Sequence, residues 1–576
     1  MVTTKESAPL TIPADEAQAG ASSSSPHSVS DGDGEATACN DTGEDVEVER
    51  GAKSRAKAEA LENSAQNDTS EQTLSIDDLP WANPRNWPYL KRAAIAVVIW
   101  LCIGPVDMTA AAYSGGTEQI IEEFQVTRVV AVLGVSLANL GISIGPVIGA
   151  PLSETFGRKP VYLVSMAGFV AFSAASGGAR NIQTLLITRF VSGLFAGPPF
   201  SVCGGSLGDL FTDEERGPWV AIFTLMLQGA PSIAPVWANW MGQTVSWRWI
   251  LYAIAIFAAF DLVLLCLIPE TQPGIIVRNN AQRLRQERGA KSEETATPAV
   301  SKLAARLRPK LQTSKDGPDE RHAEHQLNEK LDASQGQVYA PIEFDHRPLW
   351  RKITSTLARP LVMLVTEPML LSTTIYHAFI YSLLFMLLEI YPLVYERIYS
   401  LSLGLSGTAF VAPWLGNALG VVWYFAIIGP KYAKLSKEGH ATPETRLPSM
   451  VIAAILLPVA LFWFAYTTYP SVHPVVSMAS GVLVGAGMVL LQLALNAYYI
   501  DVYAPSGRAA SALAANVMLR NLLATASPLY TTPMYDALGA QNASVILAAV
   551  ACLGLPMSLL LIWKGKQLRQ KSKIAQ

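Results

Sequence analysis

The chain has 576 residues, of which 50% are hydrophobic and 15% charged, and its net charge is −3. Soluble domains carry roughly 25% charged residues, whereas here most charges are gathered in residues 1–88 and 275–358. That distribution excludes a soluble globular protein in favour of a polytopic membrane protein, and the absence of a basic stripe argues against a nucleic-acid partner.

Residues 1 to about 75 are rich in Ser, Ala, Asp and Glu and nearly free of aromatics, so they cannot bury enough apolar surface to fold. Trp81 and Trp87 then suit a lipid–water interface. Residues 1–88 therefore read as a disordered cytosolic tail with an interfacial segment at its end. No basic-plus-apolar signal peptide is present, so insertion is expected to start at the first span, after Lys91 and Arg92.

Apolar runs of about 20 residues, enough to cross a hydrocarbon core of about 30 Å, are expected near 93–113, 129–151, 160–178, 183–207, 217–240 and 248–269. A second set is expected near 362–389, 404–429, 448–468, 474–499, 509–533 and 542–563. The expected organisation is a six-helix half over 89–269, a cytosolic central loop over 270–358, a second six-helix half over 359–563 and a cytosolic tail over 564–576. This is the plan of an all-α transporter with twelve transmembrane helices in two halves.

Loop charge sets the orientation. Lys91, Arg92, Arg158, Lys159, Arg216, Lys431, Lys434, Lys437, Arg446 and Arg508 fall on one side, with the central loop and the basic tail. Arg128, Arg180, Arg248 and Arg397 fall on the other. Both termini are expected in the cytosol. Asn542-Ala-Ser544 is then the one glycosylation sequon expected to face outward, while Asn40 and Asn67 face the cytosol. Cys39, Cys102, Cys203, Cys266 and Cys552 show neither metal spacing nor a pairing framework. The four in apolar runs read as small buried hydrophobes. No metal or cofactor is expected.

The most informative stretch is Ala150-Pro-Leu-Ser-Glu154-Thr-Phe-Gly157-Arg158-Lys159-Pro160, a charged, Gly-turned segment between apolar runs that must sit at a membrane surface. Thr188-Arg189-Phe190-Val-Ser-Gly193-Leu-Phe-Ala-Gly197 places an Arg inside an apolar helix, with glycines four apart that allow close helix approach. Gly229-Ala-Pro231-Ser-Ile-Ala-Pro235-Val-Trp-Ala-Asn239 puts two prolines in the fifth run. Further segments are Asn83-Pro-Arg-Asn86-Trp87, Ile268-Pro269-Glu270-Thr271, Arg359-Pro360, Glu367-Pro368, Pro443-Glu444-Thr-Arg446-Leu447 and Ser511-Ala-Leu-Ala-Ala-Asn516.

Together these segments resemble the major facilitator superfamily, and within it the fungal twelve-helix drug:proton antiporters, which export polyamines, antifungals, toxins and other secondary metabolites. The resemblance runs from about residue 80 to the end, apart from most of the central loop. It implies that Glu154, Gly157, Arg158 and Lys159 form a gating loop and that Arg189 serves proton transfer. It also implies that Gly229, Pro231, Pro235 and Asn239 belong to an antiporter motif. Three of that motif's glycines are replaced here by Ala230, Ala234 and Ala238, and the last by Asn239.

Asp107, Asp261 and Glu389 lie within apolar runs, and a desolvated carboxyl there can carry a proton. Asp107 and Glu389 are the candidates, with Glu389 expected near the outer end of the seventh helix. Tyr376, Tyr381, Trp414, Asn417, Gln492 and Asn496 are candidate pocket residues, since an amphipathic ligand uses aromatic walls and a few polar anchors. His377, Tyr498, Tyr499, Asn516, Arg520 and Asn521 belong to the same polar group, which alternatively bonds helix to helix.

The expected function is a secondary active transporter, a proton-coupled exporter of a small amphipathic molecule such as a glycolipid, toxin, drug or polyamine. The expected partners are that molecule, protons and the lipid bilayer, and a monomer at the plasma membrane is expected, with a vacuolar or vesicular membrane as the alternative. Import by proton symport or facilitation remains open on the same fold. A membrane enzyme lacks support, and Gly51-Ala-Lys-Ser54 and Gly289-Ala-Lys-Ser292 lack the upstream Gly of an ATP-binding loop.

Overall fold

The computed structural model describes residues 72–296, 338–339, 349–438, 442–503 and 508–571. Most of the expected tail, the bulk of the central loop, Cys39, Asn40, Asn67 and both chain ends lie outside the described residues, as does the Arg216 side chain.

The first half contains α1 (Tyr89–Tyr113), α2 (Thr117–Phe124), α3 (Arg128–Phe156), α4 (Arg158–Gly177), α5 (Ile182–Ala196), α6 (Pro198–Leu210), α7 (Asp213–Thr244) and α8 (Trp247–Leu267). Helix α9 (Pro273–Ala296) follows, and α10 (Leu349–Thr366) precedes the second half. That half contains α11 (Pro368–Arg397), α12 (Leu403–Thr408), α13 (Val411–Trp423), α14 (Gly429–Lys437), α15 (Pro448–Thr467), α16 (Pro474–Tyr503), α17 (Ala509–Leu538), α18 (Ala540–Ala551) and α19 (Gly554–Lys571). The termini face is the one where α1 begins and α19 ends; the far face is opposite.

All twelve expected spans fall on helices, and eleven helices among the described residues are long and apolar enough to cross a membrane. The span expected at 509–533 is α17, a 30-residue helix carrying Asn516, Arg520 and Asn521. Its polar content keeps it out of that set, yet it packs along α11 and α3 inside the bundle. Polar side chains are tolerated there because neighbouring helices, not lipid, surround them.

The span expected at 362–389 differs most. Glu367 is extended and Pro368 is the first helical residue, as the steric clash before a proline dictates. The apolar run therefore divides into α10 and α11, and α11 continues to Arg397. Glu389 thus stands about two turns inside the helix instead of near its end. In α11, 89% of the apolar window is buried, against 33–67% in the other spans, so it is the central helix of its half.

Close packing follows the small residues. Gly141 and Gly145 of α3 face Phe190, Leu194 and Gly197, and Gly193 faces the Ala138 carbonyl, so any Cβ there would meet backbone. Pro198 starts α6 and bends the fourth span next to Gly149. In the eighth span a π turn, Tyr424–Ile428, separates α13 from α14. Cys102 and Cys203 are buried as expected, whereas Cys266 and Cys552 are exposed on the outside of the bundle.

One small element departs from an all-helical chain. Strand β1 (Gln72–Thr73) pairs in parallel with β2 (Val338–Tyr339). Beside it Leu74 and Leu79 pack with Val277 and Ala281 of α9, and Trp81 lies against the same cluster. The end of the expected disordered tail is therefore structured, and Trp81 packs on protein, while Trp87 stacks under the Lys91 ammonium at 4.1 Å.

Candidate functional site

Arg189 is fully buried in α5, with no carboxylate partner among the described residues. Its Nη1 and Nη2 donate to the hydroxyl and carbonyl of Thr109 at 2.9 Å, and its Nε donates to the Gly134 carbonyl at 3.1 Å. The guanidinium also sits 4.8 Å over the Tyr113 ring. A charge placed in an apolar helix finds backbone dipoles and an aromatic face instead of an acid. Arg189 thereby pins α1, α3 and α5 together, two residues from Asp107.

Asp107 is 6% exposed, and its Oδ2 is buried without a hydrogen-bond partner. The charge within its electrostatic reach is Arg520 of α17, on the other half. Arg520 donates to Gln492 Oε1 and lies 4.1 Å over the Tyr381 ring. Gln492 Oε1 also meets His377 Nε2 at 3.0 Å, and His377 Nδ1 meets the Asn516 side chain at 2.9 Å. Because Arg520 makes that oxygen an acceptor, His377 Nε2 must donate to it. In the neutral ring Nδ1 then accepts, which requires the Asn516 amide nitrogen to face it. Tyr381, Gln492, His377, Asn516 and Arg520 thus form one polar chain across α11, α16 and α17.

The other candidate pocket residues separate from this group. Tyr376 donates to the Ala551 carbonyl at 3.3 Å and packs within its own half. Asn417 donates to the Gln228 carbonyl at 3.1 Å and to Ser232 at 3.3 Å, joining α13 to α7. Trp414, on the same helix, lies against Gly229. Asn496 is half-buried. The segment Gly229, Pro231, Pro235 and Asn239 runs along this interface: Gly407 packs on the Pro235 carbonyl and on Asn239, whose side-chain amide is buried with neither atom bonded.

At the far face Glu389 is 2% exposed and pairs with Arg128 of α3 at 3.3 Å, and Thr532 donates to the same oxygen at 3.4 Å. Arg128 also pairs with Glu118. A cleft of about 200 Å³ opens here, lined by Arg128, Val132, Arg397, Thr532 and Asp536 among others. Gln243 adds a second link between the halves by accepting from the Gly404 backbone at 3.0 Å.

At the termini face the loop before α4 is tightly built. Gly157 adopts φ +102° and ψ 163°, a conformation essentially reserved for glycine. The Glu270 carboxylate accepts from the backbone N–H groups of Arg158 and Lys159 at 2.8 and 3.1 Å. It thereby caps α4 and fills the space a Cβ on Gly157 would need. Arg158 pairs with Asp209 at 3.1 Å and donates to Ser153 at 2.7 Å, while Lys159 donates to the Cys266 carbonyl at 2.9 Å. Glu154 is exposed, and Arg158 turns away from it. Nearby, Arg92 hydrogen-bonds Glu215 and holds that carboxyl below its usual range.

Asn542 lies in α18 and donates to the Leu538 carbonyl at 3.1 Å; Ser544 of its sequon is buried, bonded to Ala540 and Tyr535. In the sequence Arg128 counts only as an outer-face charge and Glu270 only as part of a motif segment, Asp209 has no role, and Arg520 belongs to the polar group that either lines a pocket or bonds helix to helix. An Arg in the most polar span was the available signal for Arg520. No local pattern announces a carboxylate that caps a helix more than a hundred residues away.

The profile of the Major Facilitator Superfamily matches residues 99–528. The efflux pump MFS2 of Trichophyton rubrum is 34% identical, over 86% of this chain and 76% of that protein. The efflux pump FUB11 of Gibberella moniliformis is 33% identical over 88% and 78%, and the multidrug transporter TPO1_2 of Candida glabrata 31% identical over 86% and 78%. Among solved structures, the proton:xylose symporter XylE is similar in fold, with a TM-score of 0.53 and 17% identity over 83% of this chain and 96% of that one. A POT family transporter likewise gives 0.53 at 12% identity over 82% and 96%. This chain belongs to the Major Facilitator Superfamily and is a multi-pass membrane transporter, not an enzyme.

Proposed function

We propose that the chain is a proton-coupled exporter that moves a small amphipathic molecule by alternating access. The observation that carries the reading is where the halves are bonded. Arg128–Glu389 and Gln243–Gly404 tie them at the far face and Asn417–Gln228 midway, while Arg158 and Arg446 on the termini face each close on their own half. That is the geometry of a transporter sealed on one side. The efflux names of relatives at 31–34% identity favour export, and the proline-bearing α7 at the inter-half interface supports exchange.

In this reading the termini face is cytosolic, because the Lys- and Arg-rich loops lie there, and the protein works at the plasma membrane. Asp107 and Glu389 are the proton-exchanging carboxylates, and Arg189 fixes the helices around Asp107. Glu154, exposed in this state, engages the second half when the termini face closes, with Gly157, Arg158 and Lys159 holding its loop.

The test is transport in energised vesicles containing the full chain, with a panel of fluorescent amphiphiles, one cationic such as rhodamine 6G and one uncharged and hydroxyl-bearing such as an NBD-labelled monoacylglycerol. Export predicts movement against the substrate gradient and opposite to protons, abolished by an uncoupler. Asp107→Asn or Glu389→Gln should remove gradient-driven movement while leaving passive exchange. Movement together with protons would make the chain a symporter. Uncoupler-insensitive movement would make it a facilitator.

A further inference from the structure

Asp107 and Arg520 are both more than nine-tenths buried, come from opposite halves and lie within electrostatic reach. They nevertheless form no ion pair among the described residues. Asp107 Oδ2 and Arg520 Nε are each buried without a hydrogen-bond partner. Gln492 and the Tyr381 ring hold the guanidinium in place, and His377 and Asn516 brace Gln492. The structure therefore keeps an acceptor and a donor apart, each lacking a partner whose absence is costly in a dry interior.

The chemistry of the gap limits what can fill it. A carboxylate on Arg520 would face the Asp107 charge, and an ammonium on Asp107 would face Arg520. A hydroxyl satisfies both groups, because it donates one hydrogen bond and accepts two. We propose that Asp107 and Arg520 form a subsite for the hydroxyl group of an uncharged amphipathic substrate, which bridges the two halves. This deepens the exporter reading and rests on it.

Such a subsite also explains exchange. Ionised Asp107 accepts the hydroxyl proton in a charge-assisted hydrogen bond, whereas protonated Asp107 offers only a neutral one, about half as strong, so protonation weakens the bridge. Substrate and proton therefore compete: tight binding favours ionised Asp107, so a proton leaves Asp107 as the hydroxyl enters, and the hydroxyl keeps its own. Among the described residues, the titratable groups within electrostatic reach of Asp107 are Arg520 and Tyr381. On neighbouring helices Arg189 and Tyr113 face each other, and Asp261 acts on Cys102.

Titration calorimetry on the full chain in phosphatidylcholine nanodiscs, in buffers of different ionisation enthalpy and corrected for empty discs, tests this. The probes share one alkyl chain: glycerol monolaurate, its dimethyl ether, laurate and dodecylamine. The proposal expects monolaurate to bind tightest and to release protons, with the ether at least about tenfold weaker because it cannot donate. Asp107→Asn should abolish proton release. Arg520→Gln should weaken monolaurate about tenfold and Arg520→Lys should recover part of that loss, which guards against misfolding. The proposal is overturned if laurate or dodecylamine binds tightest, if the ether equals monolaurate, or if monolaurate does not bind. Those outcomes leave the direction of transport in vesicles untouched, so the two readings fail separately.

Discussion

The two halves close their termini-face corners with matching parts arranged differently. In the first half Arg158, opening α4, pairs with Asp209 at the end of α6. In the second, Arg446, just before α15, pairs with Asp501 near the end of α16 at 2.6 Å. The positions correspond helix for helix. The third member differs: Glu270 follows α8 and caps the backbone of α4, whereas Glu444 stands in the turn before α15 and pairs with Arg569 of α19. One corner uses an acid on bare N–H groups, which demands a glycine at the turn. The other uses side-chain charge pairs and stacks Arg446 over Tyr432 at 3.6 Å, so its turn is free of that demand. The first corner carries the loop proposed to gate.

If this contrast is right, Gly157→Ala should have the largest effect. Backbone strain alone costs about 1–3 kcal/mol, and the new Cβ would lie 2.5 Å from Glu270 Oε2. Thermal unfolding of the purified protein should fall well below wild type, and an unchanged midpoint would break the comparison. Arg446→Ala should come next. It leaves Asp501 partly buried with Tyr432 as its remaining hydrogen-bond partner among the described residues, a loss of about 1.5–3 kcal/mol for a charged hydrogen bond. Arg446→Lys should recover part of it. Glu270→Ala removes the cap and should cost about 0.5–2 kcal/mol, with faster hydrogen exchange at the amides of Arg158 and Lys159. Faster exchange around Asp501 instead would show that the corners are not independent. Glu154→Gln should be the mildest for stability, within about 0.5 kcal/mol of wild type as for other exposed sites, yet lower transport. Full transport by that variant would remove the gating role.

Much of this architecture is legible in the sequence, because spans announce themselves by apolarity and corners by charge. The glycines of α3 and α5 were readable as close-packing positions, and they pack against facing backbone. The seventh span was misplaced because α10 ends in an apolar run, and only the Glu367–Pro368 geometry separates it from α11. Asp107 was identifiable as a costly acid, but its relation to Arg520 joins positions four hundred residues apart. Arg128 and Glu389 likewise meet across 261 residues of chain. Such pairs exist only once the two halves are assembled, and no periodicity within either half encodes them.

The central claim is that the halves hinge apart on one face while closing on the other. Spin-label pairs on a background with its cysteines replaced by serine test it directly, one pair at Val129 and Asp536 on the far face and one at Glu154 and Arg508 on the termini face. Pulsed dipolar distances should show two populations that change in opposite directions. Breaking the far-face link with Glu389→Gln should lengthen the Val129–Asp536 distance and shorten the Glu154–Arg508 distance. Distances that stay fixed in that variant, or that lengthen on both faces together, would contradict alternating access in this protein.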